Sequence, residues 1–228
     1  MNNIMCRMVD GKVYGVLMDF DLSSWTADLT NDYTKTSQQR MGTPPYMARD
    51  LLAGTNPIHL YRHDVESFFY IMLILATHYT IEAPKGGKKG RVRMYGEFWE
   101  LPYREWFGQL SYKTLGSIKS EFFREMDSMD ISPPFEDFRN WLRSLHLSFF
   151  RGELSRMGHQ LEKFGDPVAG KEILHFDKET LGGHVNYSAL VDPARNLPGK
   201  LEGLIVRYES QLESPDAAAA MNAAQARP

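Results

Sequence analysis

Residues 68–76 form the most apolar run of the chain, and this run constrains the fold more than any other feature. It reads Phe-Phe-Tyr-Ile-Met-Leu-Ile-Leu-Ala, so a helix built from it is apolar on every side and belongs in the middle of a core. Asp64 and Glu66 precede the run, and acidic residues in a first turn complement the helix dipole. The run is far shorter than the roughly 20 residues that a membrane span needs. The sequence therefore predicts a central, buried helix.

The composition predicts a folded protein with no affinity for nucleic acid or membrane. The 228 residues are 43% hydrophobic and 24% charged, which allows a sizeable core. A formal net charge of −3 gives no electrostatic reason to expect nucleic acid or an anionic membrane as partner. Cys6 is the single cysteine, so an internal disulfide is excluded and a reducing compartment is expected. The N-terminus resembles no signal peptide, so we expect an intracellular location, in the cytoplasm or nucleus.

Turn signals and apolar spacing predict the remaining elements. Asp10-Gly11 between the apolar runs 4–8 and 13–18 predicts a β-hairpin. Apolar residues at helical spacing predict helices over residues 47–53, 101–110, 114–126, 134–150 and 201–212. The helix over 134–150 is expected to bury a face made of Phe135, Phe138, Trp141, Leu142 and Leu145. Residues 151–183 are weakly periodic and punctuated by glycine, and the tail 213–228 is expected to be disordered.

Two motifs bracket a polar segment between residues 19 and 50. Asp19-Phe20-Asp21 follows the second hairpin strand and places a carboxylate where a metal–phosphate complex can bind. Residues 42–48 read Gly-Thr-Pro-Pro-Tyr-Met-Ala, in which the glycine permits a positive φ and the prolines stiffen the backbone. Such a loop can hold an extended peptide beside a catalytic base. Taken alone, the same residues also fit a plain proline-rich turn.

Four motifs, in this order and spacing, resemble those of protein kinases. Asn3-Ile4-Met5 resembles the end of the catalytic loop, Asp19-Phe20-Asp21 resembles Asp-Phe-Gly, and residues 42–50 resemble the end of the activation segment. Asp64-Val65-Glu66-Ser67 resembles the start of the kinase F helix. The amino-acid sequences of these motifs and of residues 171–184 resemble the fungal-type protein kinase family in particular. The resemblance covers roughly residues 2–212.

The resemblance implies a mainly α fold within the α+β kinase superfamily. Residues 1–212 would form a kinase-like C-terminal lobe, with a short β-hairpin at its start and a central buried helix. The family phosphorylates protein hydroxyls with ATP and Mg²⁺, and Asn3 and Asp19 match its magnesium ligands. A protein substrate or a regulatory protein is the implied partner. The residues implied on the substrate side are Gly42, Thr43, Pro44 and Tyr46.

Further residues are implied to have structural or regulatory roles. Phe20, Asp50 and Asp64 are the implied structural residues, and the family's residue matching Asp64 holds the backbone of the catalytic loop. Asp50 replaces the glutamate of Ala-Pro-Glu and is expected to pair with an arginine of a later helix, the candidates being Arg139, Arg143 and Arg151. The possible phosphorylation sites in the polar segment are Thr34, Thr36 and Ser37.

The sequence departs from the family at the catalytic centre. The family's catalytic Asp lies five residues before the position of Asn3, which falls before Met1, so no catalytic residue is assigned. No Gly-rich loop, strand Lys or partner Glu of a nucleotide-covering lobe precedes Asn3 either. These parts position the phosphates and accept the substrate's proton, so we expect little or no transferase activity from residues 1–228 alone. Apolar surface is expected where the missing lobe would pack.

Three functions stay open at this point. The chain is a fragment of a fungal-type Ser/Thr-like kinase, a non-catalytic pseudokinase-like interaction module, or a small-molecule kinase of related fold. The spacing from Asp19 to Asp50 favours the protein kinases over the last. Two other patterns are set aside. Residues 165–172 approach a phosphate-binding loop but end in Glu172 instead of a hydroxyl, and His59 and His63 have no third zinc ligand nearby.

Overall fold

The computed structural model describes residues 4–10, 12–17, 42–53, 59–82, 91–125, 129–164 and 175–194. These residues are mainly helical, with two small antiparallel sheets of two strands each. The strands are β1 (Ile4–Val9), β2 (Lys12–Leu17), β3 (Tyr79–Glu82) and β4 (Arg91–Met94). The α-helices are α1 (Arg49–Ala53), α2 (Tyr61–His78), α3 (Tyr112–Arg124), α4 (Arg139–Phe164) and α5 (Tyr187–Ala194).

The chain divides into two compact units. The first comprises residues 1–36, 83–90 and 198–228, and the second comprises residues 37–82 and 91–197. Within the first unit, β1 and β2 pair antiparallel from Ile4↔Leu17 to Val9↔Lys12. Asp10 adopts the left-handed φ of 50° that such a tight connection requires, and Asp tolerates this region better than most residues. The predicted hairpin is present.

Helix α2 is the centre of the second unit, as the apolar run predicts. Its side chains at Phe69, Tyr70 and Leu73 are 0% exposed. Phe69 packs against Phe123 and Phe149, with ring centroids 5.6 and 6.1 Å away. The helix is nevertheless not covered on every side, because Phe68 is 41% exposed. The rings of Phe68 and Trp141 meet edge to face, so one strip of α2 lies at the boundary of the core.

The segment from 133 to 164 is one long helical unit. A 3-10 helix at Pro133–Phe138 leads directly into α4, and the predicted face is buried at Phe138, Trp141, Leu142 and Leu145, with Phe135 half-buried. The expectation of irregular structure after residue 150 is wrong for 151–164, which continue the helix. A glycine in a helix costs only about 1 kcal/mol relative to alanine. Tertiary packing offsets this at Gly152, which lies against Leu181.

Residues 101–110 do not form the predicted helix. Only Arg104–Phe107 is helical, as a short 3-10 helix that buries Trp106. Pro102 lacks a backbone N–H, and Tyr103 has a left-handed φ of 58°, so an α-helix cannot run through both residues. The apolar spacing here reflects the separate burial of Leu101 and Trp106 rather than a helical face.

Some predictions lie outside the described residues. These are the last helix over 201–212, the tail 213–228 and the domain boundary at 212. Among the helices that the structure describes, none combines the length and the apolarity that crossing a membrane requires.

The contact between Gly152 and Leu181 predicts opposite effects of alanine at the two glycines of α4. A Cβ at position 152 would lie 2.7 Å from the Leu181 Cβ, whereas one at position 158 would meet nothing within 4 Å. We expect Gly152→Ala to lower the free energy of unfolding by about 1–3 kcal/mol. Gly158→Ala, the control, should leave it unchanged or raise it by up to about 1 kcal/mol. Urea unfolding measures both, and equal effects would contradict the described packing.

Candidate functional site

Residues 42–47 form a tight, rigid turn, which we name the Gly-Thr-Pro-Pro-Tyr loop after its first five residues. Gly42 has a φ of 134°, and a Cβ there would lie 2.9 Å from Met47 Cγ, so both backbone and packing require glycine. The Tyr46 N–H donates to the Thr43 carbonyl at 2.8 Å, and the Met47 N–H donates to the Pro44 carbonyl at 3.2 Å. Thr43 is exposed. The loop therefore presents Thr43 outward while its far end enters the core at Met47.

Lys119 of α3 holds this loop from beneath. Its Nζ donates to the carbonyl oxygens of Pro44 at 3.2 Å, Pro45 at 2.8 Å and Met47 at 2.6 Å. The side chain is 0% exposed, and Nζ lies 4.0 Å from the centroid of the Tyr70 ring. Burial lowers the pKa of Lys119 to about 7, against which the Glu66 carboxylate acts to raise it. An ammonium group has one N–H for each of the three carbonyls, and the Pro44 carbonyl also accepts from the Met47 N–H.

Glu66 of α2 fixes the exit of the loop. Its Oε1 accepts a hydrogen bond from the Arg49 backbone N–H at 2.7 Å and another from the Tyr70 hydroxyl at 2.6 Å. Glu66 is 0% exposed, so these donors compensate a carboxylate that has left water. Burial, and then the Glu66 charge, raise the pKa of Tyr70, which keeps this hydroxyl a donor. The start of α1 is thereby attached to the central helix.

The Arg49 side chain connects the start of α1 to α4. Its Nη2 donates to Glu153 Oε1 at 2.7 Å, and its guanidinium lies 4.3 Å from the centroid of the Phe123 ring. The side chain is 3% exposed. An arginine in place of the family's proline therefore makes a buried, charge-assisted contact that a proline cannot make.

Asp50 pairs with Arg62 and Arg156. Its Oδ2 lies 2.7 Å from Arg62 Nη1 and 3.2 Å from Arg156 Nη1. Burial alone would raise the pKa of Asp50, but the two guanidinium groups hold it below its ordinary value.

The prediction that Arg139, Arg143 or Arg151 pairs with Asp50 is wrong. Arg139 pairs with Glu136 of its own helical segment, and Arg143 and Arg151 are exposed. Arg156 lies on α4, in a part of the chain where the sequence predicts no helix, and Arg62 lies on α2.

Two histidines flank the start of α2 and differ in environment. His63 is 1% exposed; its Nδ1 accepts from the Leu60 N–H at 3.1 Å, and its Nε2 lies 4.0 Å from Asp50 Oδ2. Burial, and then the Arg62 charge, lower the pKa of His63 to about 4. Asp64 is 71% exposed and lies 2.8 Å from His59 Nε2. Within the described ranges, no group of three or more His, Cys, Asp or Glu side chains could hold a metal ion.

Aromatic side chains form a partly open surface beside the loop. The Tyr46 ring meets the Phe107 ring edge to face at 6.1 Å, and the Phe107 ring meets the Phe98 ring at 6.3 Å. Phe98 and Trp99 are 46% and 62% exposed. Burial, and then the neighbouring Tyr79, raise the pKa of Tyr46, so its hydroxyl stays protonated. An extended peptide in contact with this loop would meet aromatic faces.

The structure places only part of the predicted site. Gly42, Thr43, Pro44 and Tyr46 lie in one loop, and Asp50 anchors the helix that follows it. The position of Asp64 is described, but its implied contact with the catalytic loop remains a prediction. The predicted residues that lie outside the described ranges are Asn3, Asp19, Phe20, Thr34, Thr36 and Ser37.

The sequence analysis does not identify Lys119, whose Nζ donates to three backbone carbonyls of the loop. Leu115, Lys119 and Phe123 follow one another at spacings of four residues on the buried face of α3. A lysine in line with two buried apolar residues is a signal for a buried cation with acceptors at its end. That signal identifies the residue but not the acceptors, because the loop lies far away in sequence.

Comparison with known proteins supports the family. Residues 1–76 match the model of the family described as fungal protein kinase. The match spans the four motifs from Asn3 to Ser67 and covers a third of the chain, so the resemblance to the fungal-type protein kinase family is confirmed there. For residues 77–212 the resemblance stays a prediction. Neither the search of curated proteins nor the search of solved structures gave a match.

Removing the Lys119 ammonium group should destabilise the fold markedly. Lys119→Met removes the Lys119 donor from the Pro45 and Met47 carbonyls and one of two donors from the Pro44 carbonyl, and we expect a loss of about 3 kcal/mol in the free energy of unfolding. Lys113→Met is the matched control, since Lys113 is an exposed lysine of the same helix and should change stability by less than about 0.5 kcal/mol. Urea titration followed by circular dichroism measures both. Similar small effects of the two changes would show that Lys119 does not hold the loop.

The buried His63 predicts a loss of stability in mild acid. Its pKa is about 4 in the folded chain and about 6.5 when unfolded, so between these values the unfolded chain binds the extra proton. Stability should therefore fall as the pH is lowered from 6.5 to 4, by up to about 3 kcal/mol. His63→Gln should reduce this dependence, and a smaller part should remain because burial also lowers the pKa of His78 and of His146. The control His59→Gln should not reduce it, because the hydrogen bond with Asp64 raises the pKa of His59. A profile that His63→Gln does not change would refute the assignment.

Proposed function

We propose that the Gly-Thr-Pro-Pro-Tyr loop forms the substrate-side wall of a fungal-type, Ser/Thr-like protein kinase lobe. In this role it presents a protein hydroxyl for phosphorylation by ATP. The observation that carries the proposal is the anchoring of the loop backbone by Lys119 through three carbonyls. The family match over residues 1–76 includes the whole of this loop and the start of α2.

The chemistry of phosphoryl transfer explains why such a wall must be rigid. Positioning and electrostatics supply most of the catalysis, so a substrate displaced by about 1 Å reacts much more slowly. Pro44 and Pro45 restrict the backbone of the loop. Lys119 holds its second half to α3, and Glu66 holds Arg49, just after the loop, to α2. Thr43 remains exposed on the outer side, where a substrate backbone can reach it.

The family's cofactors fit the chemistry of the predicted ligands. Asn3 and Asp19 offer an amide and a carboxylate oxygen, which are the ligands that Mg²⁺ prefers. When bound, ATP and Mg²⁺ would supply the phosphoryl group and neutralise its charge. The described residues contribute the other half of the task, which is to bind and orient the protein substrate.

A non-catalytic docking module is the second candidate function. Every described hydrogen bond that holds the loop and the start of α1 joins two protein groups between residues 42 and 156. None of these bonds requires a bound nucleotide. The same wall can therefore bind a protein whether or not phosphoryl transfer follows. Magnesium-dependent stabilisation of the chain by ATP in a thermal shift assay separates the two, because only the kinase requires it. Asp19→Asn should abolish that shift if the kinase function holds.

Photo-cross-linking tests the substrate-side wall directly. Serine-containing peptides with a photoreactive group two residues after the serine are bound to the full chain, irradiated and mapped by mass spectrometry. We expect the label on residues 43–46 and on Phe107, the aromatic neighbour of Tyr46. Tyr46→Ala should reduce capture about tenfold, which corresponds to about 1.4 kcal/mol of lost contact.

Tyr61→Ala is the matched control for this experiment. Tyr61 is a tyrosine of α2 that is 40% exposed and belongs to no described aromatic contact of the loop. Its loss should leave the cross-linking yield unchanged. Labelling that maps to other surfaces, or that Tyr46→Ala does not reduce, would overturn the assignment of the wall.

A further inference from the structure

Helix α4 carries an apolar stripe that the described part of the chain does not cover. The stripe consists of Leu147, Phe150, Leu154, Met157, Leu161 and Phe164. Leu147 and Phe150 are half-buried, and exposure then rises along the helix through 51%, 53% and 70% to 89% at Phe164. Exposed apolar residues that continue along one line for about 25 Å are unusual on a monomer.

A different face of α4 packs into the domain. Leu142, Leu145 and Phe149 enter the core, and Gly152 lies against Leu181. The ring of His159 stacks on Phe176 at 5.3 Å. The stripe is thus additional to the face that folds the domain, and its exposure does not result from a rotated helix.

The spacing within the stripe indicates what kind of surface would cover it. Successive residues are separated by three, four, three, four and three positions, which is the a/d pattern of a heptad repeat. On a straight helix such a stripe drifts by about 20° per heptad, so it fits best against another helix that supercoils with it. An irregular or extended partner would not require the alternation.

We propose that the stripe pairs with the same stripe of a second copy, with the two α4 helices antiparallel. This arrangement places Leu147 opposite the partner's Phe164, Phe150 opposite the partner's Leu161 and Leu154 opposite the partner's Met157. Every layer then joins an a position to a d position, as an antiparallel helix pair requires, and each phenylalanine meets a leucine. A parallel, in-register pair would instead place Phe against Phe and Leu against Leu.

The flanks of the stripe are compatible with this two-fold pairing. Arg151 lies beside the stripe and is exposed, and in the antiparallel register it falls next to the partner's Gly158 instead of another arginine. A two-fold interface must be complementary to itself, and the reversed order of the six residues satisfies this condition. The contact is small, so the dimer dissociates in the micromolar range.

Sedimentation of the full chain tests the dimer. Between 1 and 100 µM, chosen to span about two decades around that affinity, the unchanged chain should shift from monomer to dimer. Leu154→Glu with Leu161→Glu should keep it monomeric throughout. At the lowest concentration, where the unchanged chain is monomeric too, the two melting temperatures should agree because both side chains are exposed. Lys163→Glu changes the charge of the same helix by the same amount, on an exposed residue away from the stripe, and should still dimerise. A chain that stays monomeric, or a double variant that still dimerises, would overturn the proposal.

Disulfide trapping tests the antiparallel register. With Cys6→Ser as background, Phe150→Cys and Leu161→Cys proteins are mixed and oxidised. Antiparallel pairing predicts the mixed disulfide between positions 150 and 161 as the main product. Homodimers linked 150 to 150 and 161 to 161 would show parallel pairing and would also overturn the proposal.

Discussion

The carboxylate of Glu66 is the group on which the described architecture depends. A fully buried charge destabilises a protein unless donors or an opposite charge lie beside it. Here a backbone N–H and a phenol donate to Oε1, and Arg49 Nε lies 4.0 Å from Oε2. The backbone donor belongs to Arg49, the first residue of α1. The requirement to pair one charge on the central helix therefore determines where the preceding loop returns to the core.

The remaining polar contacts extend from this point. Lys119 donates to carbonyls of the loop that precedes Arg49, and the Arg49 side chain donates to Glu153. Asp50 then joins Arg62 of α2 to Arg156 of α4. Arg62 in turn donates through Nε to the Lys178 carbonyl. The Gly-Thr-Pro-Pro-Tyr loop is thus connected by ionic and hydrogen-bonded contacts to a turn more than a hundred residues later.

The local part of this arrangement could be predicted from sequence, and the long-range part could not. The hairpin, α2 and the loop have strong local signals: an Asp-Gly pair, a run that is apolar on all sides, and a Gly followed by two prolines. The partners of Asp50 depend on which helices cross near it, and spacing contains no information on that. Arg156 was missed for a second reason, since the glycines of α4 suggested an interrupted helix. The spacing of α3 indicates that Lys119 is buried, but it does not indicate which carbonyls accept its hydrogen bonds.

A double-mutant cycle between Glu66→Gln and Lys119→Met tests most directly whether these two residues act together to hold the loop. The free energies of unfolding of the unchanged chain, both single variants and the double variant are compared in urea. If both residues hold the same loop, the double variant loses less than the sum of the single losses, by at least about 1 kcal/mol. Additive losses, within about 0.5 kcal/mol, would show that the carboxylate and the ammonium group stabilise unrelated parts of the fold.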